Sequence, residues 1–180
     1  MRAERLVENI VDQIKEAQLK LGYVKEAVRF YYPLSSLNAL LETDFTELGE
    51  LLLSLENHRD FQCTEIGPLS FSEHRGRVEV SITAQGTEYV HRHVEDPPFL
   101  AELIGLFREN HHCSLQEIGA VFAKYDAGYV CQKMEEGQEF DYVLFFSDQE
   151  IDPYYYCIKI EMGHTVYHRF AKQDYIALLE

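Results

Sequence analysis

Three groups of side chains have types and spacings that could do chemistry. In His91-Arg92-His93-Val94-Glu95, two imidazoles and a carboxylate fall on alternate residues. On a strand, alternate side chains point to one face, so His91, His93 and Glu95 would form part of a divalent-metal site. On a helix His91 and His93 diverge, and only His91 and Glu95 keep a common face. The second group lies near the C-terminus. A hairpin turning at Gly163-His164 would set Lys159 opposite His168 and Glu161 opposite Val166. Lys159, Glu161 and His168 would then share one face as a mixed general acid–base set. The third group, His111-His112-Cys113, puts a thiol beside imidazoles, as an activated nucleophile requires. Each group also has a plainer reading. The first can be an exposed polar surface, the second a solvated sheet face with cross-strand pairs, and the third a buried thiol between helices. The plainer readings are favoured, so no metal or cofactor is expected and no catalytic role is assigned. Lys159, Glu161 and His168 stand as the catalytic candidates, and His91, His93 and Glu95 as the metal candidates.

The charge balance limits the partners. The chain carries 31 Asp and Glu against 16 Lys and Arg, a formal net charge of −15 over 180 residues. A protein that tracks a phosphate backbone releases counterions with clustered Lys and Arg, so this composition argues against nucleic acid as partner. It argues equally against an anionic membrane face. Between Glu135 and Asp152 there are seven acids and no Lys or Arg. Asp148-Gln149-Glu150-Ile151-Asp152 has a superficial calcium-loop cadence, but Pro153 takes the glycine position and Lys159 the twelfth, so it is not an EF-hand. An acidic surface meeting a basic protein is the better reading.

The elements that must carry these groups follow from periodicity. Leu6, Ile10, Ile14, Ala17 and Leu21 recur at helical spacing, with Gly22 placed to stop the helix. Val28, Phe30 and Tyr32 alternate as a strand. Pro33 opens a helix through Leu41, and Thr43 or Asp44 can cap another running to Leu55. Val78, Val80, Ile82 and Ala84 form a half-buried strand after a turn at Arg75-Gly76. The stretch 85–95 reads as a helix capped by Thr83 in preference to a strand. Phe99 to Glu109 is amphipathic, and Ser114 with Glu117 makes a capping box for a helix from Leu115 to Tyr125. Four strands follow (129–135, 140–146, 154–162 and 165–170), then a short helix from Ala171 to Leu179.

Ser114 to Phe122 also looks like the second helix of a helix-turn-helix, with Val130 and Met134 as recognition-helix core, and Arg75 to Val90 looks like a wing. Only Lys133 between Gly128 and Asp141 could meet a phosphate, so such a shape would bind protein. The phosphate-loop, dinucleotide, nucleophile-elbow, HExxH and CxxC patterns are absent from the sequence. The N-terminus lacks a signal-peptide stretch, the longest apolar runs are too short to span a bilayer, and four unpaired cysteines suit a cytoplasmic protein.

The run Tyr31-Tyr32-Pro33-Leu34-Ser35-Ser36-Leu37-Asn38-Ala39-Leu40-Leu41, with Tyr167-His168-Arg169-Phe170, resembles an uncharacterised family of small acidic proteins from Gram-positive gut bacteria. The resemblance implies a bacterial, cytoplasmic protein and no catalytic residues. The expected fold is α+β, with N-terminal helices packed on a mixed body that ends in a four-stranded antiparallel meander. One unit over 1–180 is expected, with a possible subdivision into a helical part, 1–60, and a mixed body, 61–180. The apolar content of both faces of Val143 to Phe146 makes that strand central. The expected function is a non-enzymatic protein-interaction or regulatory role. The partner is a protein, possibly basic, and Leu51-Leu52-Leu53 makes a homodimer possible. A histidine-based metal or acid–base enzyme is the alternative, and a winged-helix-like nucleic-acid binder the third.

Overall fold

A computed structural model describes residues 1–179. The chain is α+β and divides into two compact units, Met1–Asp96 and Pro97–Glu180.

The first unit begins with helix α1 (Ala3–Leu21), whose buried stripe is Ala3, Leu6, Ile10 and Ile14. Gly22 ends it in the left-handed conformation at φ 71°, and its amide donates to the Gln18 carbonyl. Strand β1 (Val28–Tyr32) follows, then α2 (Leu34–Leu41) entered from Pro33, and α3 (Leu48–Glu56). Strands β2 (Ser70–His74) and β3 (Arg77–Ile82) form a hairpin around Arg75-Gly76, both at positive φ, and helix α4 (Ala84–His93) closes the unit. The sheet is antiparallel in the order β1-β3-β2, with Val28 opposite Ile82 and Tyr32 opposite Val78. This pairing brings residues on both sides of 60 into one core, where Tyr32, Leu37, Leu51, Leu55, Phe61, Val78 and Val80 are buried. The order helix–strand–helix–helix–strand–strand, with the first strand paired to the last, is that of a winged helix.

One helix start differs from the sequence reading. Helix α3 begins at Leu48 rather than after Thr43 or Asp44. The Asn38 side chain intervenes: its oxygen accepts from the Phe45 amide and the Thr43 hydroxyl, and its amide donates to the Phe45 carbonyl. With those groups satisfied by a side chain, residues 42–46 remain a loop. The stretch after Thr83 is helical as expected, as far as His93, and the Thr83 hydroxyl accepts from the Gly86 amide. Gly86 is required there, because a Cβ would lie 2.8 Å from the Ile82 methyl and closer still to the Ile66 carbonyl.

In the second unit, α5 (Pro98–Glu109) and α6 (Leu115–Tyr125) precede strands β4 (Val130–Lys133), β5 (Tyr142–Phe145), β6 (Tyr154–Glu161) and β7 (His164–Ala171), and α7 (Lys172–Leu179) ends it. The capping box at Ser114 and Glu117 is formed in full. The strands make the expected meander, order β4-β5-β6-β7, with β5 internal. One sheet face sends Tyr156 against Phe99 of α5 and Phe122 of α6, at ring separations of 5.5 Å. On the other face, Val143, Tyr155 and Cys157 cluster with Tyr175 and Leu178 of α7. Helices on both faces explain why β5 is apolar on both sides. Residues 130–133 form a strand, so the recognition helix read around Val130 and Met134 does not exist.

Candidate functional site

The three candidate groups lie in different settings. His91 and His93 lie in the last turn of α4, where two residues of an α-helix are about 200° apart around the axis. Both are exposed, and His93 stacks on Tyr89 at 4.5 Å between ring centroids. Arg92 pairs with Glu88 one turn back, and Glu95 lies beyond the helix end. Among the described residues, no three His, Cys, Asp or Glu side chains converge as metal ligands do.

Lys159, Glu161 and His168 do share one face of the β6–β7 hairpin, but in a different register. The turn residues are Met162 and Gly163, at φ 51° and 80°, so Lys159 faces Val166, Glu161 faces His164 and His168 faces Cys157. Lys159 is therefore not opposite His168. Glu161 and His168 are exposed and Lys159 is half-buried, with the His168 ring against Phe140 at 5.3 Å.

Contacts with the α5–α6 loop fix this turn. His112 Nδ1 lies 2.6 Å from the Gly163 carbonyl, and the His112 and His164 rings are 4.7 Å apart. The Thr165 amide donates to the His111 carbonyl and its hydroxyl to the Cys113 carbonyl. The His111-His112-Cys113 segment is thus a seam between loop and hairpin. Cys113 is 1% exposed, and its burial pushes the thiol above its ordinary range, so it is not an activated nucleophile. Cys157 is pushed further, to about 12, by burial and then by Glu139.

The acidic stretch 135–152 is less uniform than its sequence. Asp152 is buried and accepts from the Tyr156 hydroxyl at 2.9 Å and from the Tyr154 amide at 3.0 Å. Burial, followed by the charge of Asp152, drives the Tyr156 hydroxyl well above its usual range, so it stays a neutral donor. Arg169 covers the Tyr154 ring at 4.0 Å. This aspartate holds β6 in place and was not separable by sequence from its solvated neighbours.

A further surface lies on α3, the helix whose Leu51-Leu52-Leu53 run the sequence marks as a homodimer face. Its inner stripe, Leu51 and Leu55, is fully buried. Its outer stripe is Glu50, Leu53 and Glu56, all exposed, with Leu53 at 62%. No Lys or Arg occurs between residues 43 and 58. The wing differs: Arg75 and Arg77, with His74, are exposed at the β2–β3 turn. A nucleic-acid reader places cations on the helix that enters the groove, and here that helix presents carboxylates around a leucine.

No helix among the described residues is long and apolar enough to cross a membrane. Among proteins of known function and among solved structures, nothing matches the chain. A family model does match, over residues 3–179, and it bears out the resemblance to an uncharacterised family, one whose name comes from a gut Gram-positive bacterium. The chain therefore belongs to the family described as "Domain of unknown function, E. rectale Gene description (DUF3877)".

Proposed function

We propose that this protein is a non-catalytic interaction or regulatory protein of the bacterial cytoplasm whose winged-helix unit docks on a basic protein partner through α3. The observation that carries the reading is the outer stripe of α3, where Leu53 stands exposed between Glu50 and Glu56 with no cation nearby. An exposed leucine ringed by carboxylates suits a partner offering an apolar pocket with Lys or Arg at its rim. The net charge of −15 favours the same class of partner.

The test is capture of partners from native lysate by the full chain, with Leu53→Ser and Glu50→Lys/Glu56→Lys variants alongside. A partner retained by the native chain and lost from both variants supports the reading. Identical captured sets from all three would remove it, and loss of a concentration-dependent dimer in the same variants would make the partner a second copy.

The wing favours a second reading, contact with duplex DNA through Arg75 and Arg77. Retardation of duplex DNA that falls steeply with salt, and that Arg75→Ala/Arg77→Ala removes, would support it. The acidic α3 makes the expected result no retardation near physiological ionic strength.

A further inference from the structure

A groove of about 460 Å3 runs along the α5–α6 hairpin, in the second unit and apart from α3. Its α5 wall is Glu102, Gly105, Leu106 and Glu109, residues spaced to form one stripe of that helix. Its α6 wall is Glu117, Ala120, Val121 and Lys124, at the same spacing. The middle of the groove is therefore small and aliphatic on both sides, and charge is confined to its two ends. At the far end Lys124 pairs with Glu102, which neutralises both. At the loop end Glu109 and Glu117 face the groove with no cation between them, and Glu117 is fixed by the Ser114 amide and hydroxyl at 2.7 and 2.8 Å.

Gly105 gives a second, independent reason to see a binding groove. Glycine in a helix interior costs about 1 kcal/mol relative to alanine. At Gly86 a Cβ would collide with its neighbours; at Gly105 a Cβ would meet nothing within 4 Å. Nothing inside the fold calls for this glycine. The missing side chain leaves open space on the α5 wall of the groove, a dent between Glu102 and Glu109 beside Leu106.

From this geometry we infer that the α5–α6 groove is a docking site for a short basic amphipathic helix of another protein. An aliphatic residue fills the dent at Gly105, and a Lys or Arg reaches Glu109 and Glu117. Each lining stripe spans eight residues, about 10 Å along its helix, so about two turns of the guest are covered. The recognition mode is a helix laid in a groove, with apolar anchors for affinity and the acidic end for direction. This site does not depend on α3, and the two can fail separately.

The test uses the full chain and a synthetic helical peptide with leucine at i and i+4 on one stripe and lysine flanking it, beside a twin with glutamate for lysine. Fluorescence anisotropy at physiological salt should show the lysine peptide binding at least tenfold more tightly than its twin. Gly105→Leu fills the dent without a clash and should weaken binding tenfold or more while the melting temperature is kept or raised. Glu109→Lys should narrow or reverse the preference between the peptides, and Leu53→Ser should leave it unchanged. Equal binding of both peptides, no binding of the lysine peptide, or insensitivity to Gly105→Leu would each overturn the inference. So would a dimer in sedimentation that Gly105→Leu dissociates, since a second copy would then be the occupant.

Discussion

Burial sorts the four thiols, and their sequence neighbours do not. Cys113 and Cys157 are buried and Cys63 and Cys131 exposed. Partial desolvation still raises the Cys131 thiol, which slows its conversion to the reactive thiolate. Reaction of the folded chain with a maleimide near neutral pH should label Cys63 first, Cys131 more slowly, and Cys113 and Cys157 only after denaturation; mass spectrometry of the peptides reads the order. Glu117 offers a second test at this scale. The Ser114 amide, then its hydroxyl, hold the Glu117 carboxyl below its ordinary range. A carboxyl with a lowered folded-state pKa contributes stability above its unfolded value, and that contribution disappears as pH falls through the folded one. Removing the cap with Ser114→Ala should cost about 1 kcal/mol at neutral pH. In denaturant melts the deficit relative to native should shrink as the pH drops below the ordinary carboxylate range; a constant deficit would mean that the carboxylate adds nothing to the box.

At the scale of elements, two helical glycines make opposite predictions although sequence presents them alike. Gly86 in α4 abuts the Ile66 carbonyl and the Ile82 methyl, whereas Gly105 in α5 abuts nothing. Gly86→Ala should destabilise by about 1–3 kcal/mol through overpacking, despite alanine's better helix propensity. Gly105→Ala should stabilise by up to about 1 kcal/mol, because only the propensity term remains. Thermal melts of the two variants check the signs. Element boundaries follow the same logic: Ser114-x-x-Glu117 and Gly22 are local signals and were legible as such, while the start of α3 depends on Asn38 bonding across a loop to Phe45. The β6–β7 register was out of reach for a related reason. Gly163 can serve as either position of a two-residue turn, and the bonds from His112 and Thr165 to and from the α5–α6 loop accompany the Met162-Gly163 choice.

For the whole molecule, the first unit has its own helices, sheet and core, and its last residue is tied back by an ion pair. Lys15 on α1, nearly buried, meets Asp96 at 2.6 Å. Lys15 is buried but Asp96 is half exposed, so Asp96→Ala should destabilise the first unit by about 1–3 kcal/mol, between the costs of breaking an exposed and a buried pair. A fragment covering Met1–Asp96 should give a cooperative melt with mixed helix and strand circular dichroism, and Asp96→Ala should lower its midpoint. A fragment without a cooperative transition would show that the unit is compact without being autonomous.

The sequence by itself determined the class of each long element, the four-strand meander, the central place of Val143–Phe146 and the acidic character of the chain. These are local or compositional properties, carried by periodicity, capping chemistry and charge. Tertiary structure decided the rest. That β1 pairs with β3, giving the first unit its winged-helix order, depends on contacts between residues some fifty positions apart. Helical periodicity leaves open which stripes of α5 and α6 end up side by side; the groove with Gly105 on its α5 wall exists only once the two helices are packed. Asp152 carries the same charge in sequence as Asp148, and only the fold buries it under Tyr156, because a hydrogen-bond partner four residues on along a strand is created by the packing of that strand.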